Sequence, residues 1–238
     1  VKLEADSYLA IFHKKCFTSC TLSFFLKAKD TLELHPKLNG IPFFEEAEVT
    51  SEFYKGTATQ PDRCYLTIKA NAKDPDGIQD IDTVKCFIPA NNPFCVNLVL
   101  SQGYYTATIK GTSIVSIENW IGREFYAFAI DKMGAKGYSQ PFTLLRVIKE
   151  VATFIHPCEG ETVTSPVEFV WHKPFVNYNV YYKLVLFSQS GAEISYEVKD
   201  TICTLNLSAG RYNYYIRSID DYGNFSQSPY TVFYVISK

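Results

Sequence analysis

The sequence lacks any long apolar stretch and contains little methionine, tryptophan or histidine. One Met, two Trp and four His occur in 238 residues. No run of 18 apolar residues occurs, and a helix that crosses a membrane needs about 18 or more of them in succession. The sequence therefore predicts no membrane-spanning segment.

An excess of basic residues is also absent. Lys and Arg together number 23 and Asp and Glu 25, which gives a formal net charge of −2. Proteins that bind nucleic acid usually carry a positive field. The charge balance therefore argues against a nucleic-acid partner.

Known catalytic motifs are missing as well. The four histidines, at positions 13, 35, 156 and 172, belong to no Ser/His/Asp arrangement and no His-Glu-x-x-His motif, and no glycine-rich phosphate loop occurs. We therefore expect the chain not to be an enzyme.

Aromatic residues, in contrast, are abundant. Seventeen Tyr and 18 Phe are present, and these residue types favour β-strands. Together with Val, Ile and Thr they form short runs separated by Gly, Pro, Asn and Asp, which is the pattern of an all-β protein. We expect strands at 8–12, 21–26, 64–70, 83–88, 94–100, 104–110, 124–130, 142–148, 167–171, 180–187, 193–198, 203–207, 211–219 and 230–236.

One sequence segment occurs twice. Residues 125–131 (FYAFAID), followed by Gly134 and Gly137, return as residues 214–220 (YYIRSID), followed by Gly223. The aspartates that end the two segments are 89 residues apart (220 − 131), about the length of one small β-sandwich. The repeat predicts a module at 45–149 and a second at 150–238, preceded by a β-rich segment at 1–44 that is a partial module or a set of added strands.

Particular motifs resemble known families. Residues 74–78 (DPDGI), with 128–131 (FAID) and the turn behind them, resemble the immunoglobulin-like modules of bacterial surface and secreted proteins. Residues 157–171, with 210–217 and 220–224, are similar to bacterial fibronectin type III-like modules. The resemblance covers about residues 45–238 and implies two tandem antiparallel β-sandwiches in an extracellular or cell-surface protein.

Four aspartates lie close together in the first module. Asp74, Asp76, Asp80 and Asp82 fall within nine residues, and calcium binds several carboxylate and carbonyl oxygens. In a sandwich the turn at Asp131 is expected at the same end, so Asp131 could complete a calcium site. The alternative is that Asp-Pro-Asp-Gly is ordinary turn chemistry, in which the Asp side chains accept backbone N–H groups. No other cofactor is expected.

Seven cysteines without a Cys-x-x-Cys motif favour disulfides in an exported protein. Cys86 and Cys95 directly flank residues 87–94, which contain the expected loop at 90–92, so a hairpin would place the two cysteines opposite each other. Cys158 and Cys203 are the two cysteines of the second module and could pair there.

The sequence leaves two alternatives for Cys16 and Cys20. Cys16 and Cys20 could form a bridge only if residues 17–19 form a turn, because four residues of strand span more than a disulfide can. The competing hypothesis is a zinc site that uses both of them with His13 and His35. Cys64 has apolar strand neighbours and is expected to be an inert core thiol.

An aromatic and basic surface is expected on the second module. Alternation along 180–187 and 212–219 turns Tyr181, Lys183, Tyr215 and Arg217 to the outer face of two neighbouring strands. Such a surface suits a sugar ring or another protein. The alternative is a set of cross-strand pairs that stabilise the sheet.

These features predict a non-enzymatic extracellular structural or adhesion module that presents a binding surface stiffly. The chain would be a subunit of a surface fibre if the N-terminal strands complete the sheet of the next copy. Its expected partners are a protein or glycan at the cell surface, or further copies of itself. The alternative is a carbohydrate-binding or accessory module of a secreted polysaccharide-acting enzyme.

Overall fold

The strands of the first part of the chain begin at residue 6. The computed structural model describes residue 4 and residues 6–27, 29–89 and 94–237. Its first ten strands are β1 (Asp6–Phe12), β2 (Cys20–Leu26), β3 (Phe43–Tyr54), β4 (Arg63–Lys73), β5 (Ile81–Ile88), β6 (Phe94–Ser101), β7 (Tyr104–Gly111), β8 (Glu124–Asp131), β9 (Lys136–Tyr138) and β10 (Phe142–Thr143).

Nine further strands follow. They are β11 (Thr153–His156), β12 (Glu161–Thr164), β13 (Val167–His172), β14 (Tyr181–Ser188), β15 (Glu193–Val198), β16 (Ile202–Leu205), β17 (Gly210–Ile219), β18 (Phe225–Gln227) and β19 (Thr231–Ile236). Within the described ranges the helical segments are a 3₁₀ turn, Ile78–Asp80, and the short helix α1 (Ile114–Glu118). The prediction of an all-β chain is confirmed.

The chain forms two compact units, each built from three segments. The first unit contains Val1–Glu48, Ile68–Ala107 and Glu124–Phe142; the second contains Val49–Thr67, Thr108–Arg123 and Thr143–Lys238. Strands β3, β4 and β7 each contribute residues to both units. The module boundaries at 45 and 150 therefore stay a prediction from the repeat.

The second unit contains a β-sandwich. Strands β11, β13 and β16 form one sheet, and β15, β14, β17 and β19 form the other, with β12 parallel to β19. A three-stranded sheet that faces a second sheet built on β15, β14, β17 and β19 is the arrangement of a fibronectin type III-like sandwich. The resemblance seen in the sequence is thus confirmed for the fold of this unit.

Aromatic side chains fill the core of that sandwich. Phe169 and Trp171 of one sheet meet Tyr182, Tyr214 and Phe233 of the other, all at 3% exposure or less. Their rings contact one another edge to face, for example Phe169 and Tyr214 at 5.5 Å. Each such aromatic pair adds about 0.5–1.5 kcal/mol beyond the burial of its area.

The first unit is organised around β5. This strand pairs with β6 on one side and β8 on the other, and β8 also pairs with β9. Strand β6 changes partners along its length, because residues up to Leu98 pair with β5 and residues from Val99 pair with β7. Alternate residues of these strands are buried, as the period-2 pattern requires; they include Ile68, Ala70, Ala72, Val84, Cys86, Ile88, Leu98, Phe125, Ala127 and Ala129.

The N-terminal segment begins with a hairpin. Strands β1 and β2 pair from Asp6↔Leu26 to Phe12↔Cys20 and form a separate two-stranded sheet. The turn of the hairpin is held by residues 39–41, since Thr18 N donates to Asn39 O and Ile41 N donates to Cys16 O, each at 2.8 Å. Its loop is therefore fixed to the rest of the first unit.

The strand predictions need correction in two respects. The predicted strand at 142–148 is limited to β10, because residues 144–150 form no ladder. The short strands β9, β11, β12 and β18 were not predicted. Strand β3 was not predicted either, although it is the longest in the described chain. Its first half carries acidic residues on the solvent side, which hides the alternation until Val49.

Candidate functional site

An apolar face lies exposed on the N-terminal hairpin. Leu9, Ile11 and Phe25 are 65%, 68% and 61% exposed. The register places all three on the same side of the hairpin, where they alternate with Ser and Thr across the strands. We call Leu9, Ile11 and Phe25 the hairpin face.

The opposite side of the hairpin is apolar as well. Tyr8 and Phe24 stack there with ring centroids 5.9 Å apart, and Phe12 and Leu22 share this side and are half-buried. A surface hairpin ordinarily has one polar side. A hairpin that is apolar on both sides, with one side open to solvent, has the composition of a contact surface.

The acidic loop brings three of its carboxylates together. One oxygen from each of Asp74, Asp76 and Asp80 lies within 4.8 Å of the others. The loop folds this way because Gly77, at φ +109°, reverses the chain before the 3₁₀ turn. The Asp74 and Gly77 backbones close the turn with a 3.0 Å hydrogen bond.

Asp74 is the buried member of this group. Its residue is 9% exposed, its Oδ1 accepts the Asp76 N–H at 2.8 Å, and its Oδ2 is buried with no hydrogen-bond partner. Burial raises the pKa of the Asp74 carboxyl above its usual value, and the charges of Asp80, Asp131 and Asp76 raise it further.

The segment at residues 39–42 closes over the loop. Gly40 N donates to Asp76 Oδ2 and Asn39 Nδ2 donates to Asp131 Oδ2, both at 2.6 Å. A Cβ atom at Gly40 would lie 2.9–3.0 Å from Pro75 and Asp74. Only glycine therefore allows this segment to approach the acidic loop so closely.

The other two predicted calcium ligands lie outside the three-carboxylate group. Asp131 is buried, and its Oδ1 accepts the N–H groups of Met133 and Ala135 at 2.8 Å. Asp82 is exposed and accepts the Thr83 hydroxyl. Asp131 thus stabilises its own turn and places a further negative charge near the three-carboxylate group. Asp82 does not belong to that group.

The second repeat contains a counterpart to Asp131. Asp220 is 1% exposed, and its Oδ1 accepts the N–H groups of Tyr222 and Asn224. Here a cation is supplied by the protein, because Arg146 Nε lies 3.6 Å from Asp220 Oδ2. The guanidinium also lies 4.4 Å and 4.9 Å from the ring centroids of Tyr178 and Tyr222.

Sequence reasoning missed Arg146. Arg146 was expected to be an ordinary residue of the strand predicted at 142–148 (FTLLRVI). The signal that could have identified it is that Arg146 is the one charged residue in this largely apolar run. Charged residues in apolar runs are usually paired.

The predicted aromatic surface is only partly open. Strands β14 and β17 are neighbours, with Lys183 opposite Arg217, as expected. Tyr215, however, is 5% exposed, because the rings of Tyr230 and Phe187 cover it at 5.1 and 6.1 Å. Its exposure was predicted wrongly, and the cross-strand pairing alternative describes it better.

Tyr181 and Lys183 keep their predicted outward positions. Both are half-buried. Arg217 lies over the ring of Tyr215 at 5.3 Å and donates from Nε to Gln227 at 3.0 Å. The guanidinium of Arg217 is thus occupied within the sheet.

All seven cysteines are free thiols in the structure. Cys86 and Cys95 do not face each other, because Cys86 pairs with Val96 and Cys95 with Phe87. The one-residue offset puts Cys86 in the core and Cys95 on the solvent side. The loop at 90–92 lies outside the described residues.

The other predicted pairs are also unbonded. Cys158 is exposed and its Sγ contacts Ile155 O, while Cys203 lies on β16 opposite Phe169. Cys16 occupies a turn at φ +66° and Cys20 begins β2. Cys64 is buried at 3% exposure, as predicted.

The zinc alternative is wrong for the described chain. There, the Asp74, Asp76 and Asp80 cluster is the only group of three His, Cys, Asp or Glu close enough to hold a metal ion. His13 instead contacts the Ser19 hydroxyl, and His35 lies 3.5 Å from Glu33.

None of the described helices has the length and apolar character needed to cross a membrane. No known family matches the sequence, and no curated protein matches it.

Solved structures do match. One contains the fibronectin(III)-like modules of Clostridium thermocellum CbhA, at 12% identity and a TM-score of 0.40, over 83% of this chain and 94% of that one. A second contains the FN1–FN3 domains of chicken CNTN1, at 12% identity and a TM-score of 0.38, over 96% and 77%. A third is a chimeric titin Z1Z2–Z1Z2 tandem that carries a GRGDS peptide from fibronectin, at 14% identity and a TM-score of 0.25, over 83% and 99%. At these values the likeness carries no conclusion about function.

Proposed function

We propose that this chain is a non-catalytic structural or adhesion module of a surface or secreted protein, and that its N-terminal hairpin joins it to another copy of itself. The observation that supports the proposal is the hairpin face, whose three large apolar side chains are more than 60% exposed. Sandwiches of the kind found in the second unit are common in cell-surface proteins, which supports the extracellular location.

The hairpin is suited to strand addition because its edges are open. Among the described strands, β1 pairs only with β2 and β2 only with β1. The outer edge of each strand therefore presents unpaired N–H and C=O groups. An isolated two-stranded hairpin is marginally stable in water, so added strands and covered apolar side chains would both stabilise it.

An acceptor edge is present in the second unit. Strand β15 pairs with β14 alone among the described strands, and Ile194 on it is 37% exposed. Main-chain hydrogen bonds would supply affinity in such an assembly, and side chains such as those of the hairpin face would set register. The chain would then act as a stiff repeating unit.

Size-exclusion chromatography with light scattering tests the proposal. We expect the mass to rise with protein concentration, with and without reductant, since the interface needs no disulfide. Phe25→Ser should raise the concentration at which assembly begins by about tenfold or more, because it removes one buried aromatic side chain from the interface. Phe175→Ser is the matched control, since Phe175 is 97% exposed and lies outside the hairpin.

Hydrogen exchange distinguishes strand addition from packing of side chains alone. Amides of β1 and β2 should exchange more slowly in the assembled protein than in the dilute monomer. A monomer whose mass is independent of concentration in both redox conditions would refute the proposal. Equal assembly of Phe25→Ser and wild type would refute the role of the hairpin face.

A further inference from the structure

The acidic loop brings negatively charged carboxylates together, and the described basic side chains do not neutralise them. Asp74, Asp76 and Asp80 bring carboxylate oxygens within 4.8 Å of one another, and the Asp131 carboxylate is close enough to affect Asp74 electrostatically. None of the described Lys, Arg or His side chains forms an ion pair with any of these four aspartates. Carboxylates crowded in this way require a proton or a cation.

A second observation points to a ligand rather than to ordinary turn chemistry. In an Asp turn the side chain accepts backbone N–H groups, and Asp74 Oδ1 does so. Asp74 Oδ2 has no role of this kind, since it is buried without a partner on a residue that is only 9% exposed. A buried, unpartnered carboxylate oxygen is costly unless a positive charge reaches it.

The second repeat shows how the same fold position is neutralised by protein. Asp220, the counterpart of Asp131, faces the guanidinium of Arg146 at 3.6 Å. The first repeat has three additional carboxylates, and no described basic side chain forms an ion pair with them. An ion from solution would supply the charge that Arg146 supplies in the second repeat.

We propose that Asp74, Asp76 and Asp80 bind one calcium ion, with Oδ2 of Asp74 among the ligands. Calcium fits better than magnesium because calcium accepts several carboxylates in irregular geometry, whereas magnesium demands near-ideal octahedral coordination and keeps its water. Zinc is disfavoured because the group offers oxygen and no nitrogen or sulfur.

The bound ion would also fix the N-terminal segment. Asp76 accepts Gly40 N, and Asp131 accepts the Asn39 side chain, so the loop that holds the ion is the loop on which residues 39–42 rest. Calcium is therefore expected to stabilise the first unit together with this segment. Calcium binding at this loop does not require assembly through the hairpin.

Calorimetric titration and melting of the chelator-treated full chain test the site. We expect a dissociation constant of about 0.1–1 mM, the range of extracellular calcium modules. Calcium at about a hundred times that constant should raise the melting temperature by about 5–10 °C. Magnesium at the same concentration should have little effect.

Three variants assign the ligands. Asp74→Asn keeps an oxygen for the turn hydrogen bond but removes the charge, and Asp80→Asn removes a second charge at a less buried position; each should weaken calcium binding by about tenfold or more. Asp82→Asn is the matched control, because Asp82 belongs to the same loop and lies outside the group. Circular dichroism verifies that each variant is folded. If Asp74→Asn does not fold, Asp80→Asn alone tests the ligand assignment.

Three results would overturn the inference. The first is wild-type protein that shows neither heat nor a melting shift with calcium. The second is Asp82→Asn that loses binding as strongly as Asp80→Asn, which indicates a diffuse charge effect. The third is an equal response to magnesium, which removes the assignment to calcium.

Discussion

Arg146 lies with its Nε 3.6 Å from the buried Oδ2 of Asp220. The side chain of Asp220 is fully buried and that of Arg146 is 31% exposed, so the pair is shielded from solvent mainly on its acidic side. Ring contacts to Tyr178 and Tyr222 hold the guanidinium in place. The pair secures the turn that ends the second repeat.

Loss of Arg146 should be strongly destabilising. Arg146→Met keeps much of the side-chain volume but leaves the buried Asp220 carboxylate without its neighbouring cation, although hydrogen bonds from Tyr222 and Asn224 remain. Removal of one member of a buried ion pair typically costs about 3–5 kcal/mol. Urea denaturation measures the change. Lys149→Met is the control, because Lys149 is 53% exposed in its pair with Glu118 and should lose about 1 kcal/mol or less. Equal losses in the two variants would contradict the role given to Arg146.

Calcium-free Asp74→Asn should be more stable than wild type at neutral pH. The pKa of Asp74 is raised above its usual 3.8, chiefly by burial. The folded state therefore binds this proton more tightly than the unfolded state, so the contribution of Asp74 is fully present below pH 3.8 and is lost as the pH rises through the raised pKa.

The advantage of Asp74→Asn should accordingly shrink as the pH falls toward 3.8. Denaturation of both proteins in chelator, at neutral and at acidic pH, gives the two differences in unfolding free energy. A gap that widens on acidification would mean that Asp74 is stabilised as the anion, against the environment described for it.

Tyr215→Ala should destabilise the second unit by about 3 kcal/mol, because it removes a buried ring from a cluster with Tyr230 and Phe187. Chemical denaturation tests this value. The same substitution at Tyr234, which is 42% exposed, should cost clearly less. If Tyr215→Ala leaves stability unchanged, the ring is accessible and the sequence-based prediction of an exposed binding surface regains support.

Thiol reactivity should separate the cysteines into two groups. The exposed Cys16, Cys95 and Cys158 should react rapidly with an aromatic disulfide reagent at neutral pH. Cys86 should react only on unfolding, since burial raises the pKa of its thiol to about 12. Seven thiols should be titrated in denaturant without reductant, and a count of five or fewer would show that disulfides form.

The sequence predicted the second sandwich well because its strands obey simple alternation. The alternation that turns Tyr181, Lys183, Tyr215 and Arg217 outward turns their strand neighbours toward the core. These neighbours, Tyr182, Leu184 and Leu186 on β14 and Tyr214 and Ile216 on β17, are all buried there. Where one side of a strand is fully buried, a one-residue error would expose every apolar side chain. The alternation of apolar and polar residues therefore determines the register in this part of the chain.

Positions that depend on distant segments were not predictable in this way. Tyr215 points away from the core as expected, but it is covered by Tyr230, which lies between β18 and β19. The Cys86–Cys95 pairing was off by one residue because symmetric flanking of a loop does not determine where the ladder of β5 and β6 begins. The grouping of Asp74, Asp76 and Asp80 was expected from spacing, whereas the cover by Asn39 and Gly40 joins residues far apart in the sequence.

The pairing of β18 with β3 restricts which fragments of the chain can be expressed or exchanged without loss of this contact. Phe225 to Gln227 run parallel to Glu52 to Tyr54 within the second unit, and Ser51 N donates to Asn224 Oδ1 at 2.8 Å. A fragment that starts at the repeat boundary would leave β18 without this neighbour and Asn224 without this donor. Recombination between relatives would accordingly have to keep 49–67 together with 143–238, although 75 residues lie between them (142 − 67) and include 108–123 of the same unit.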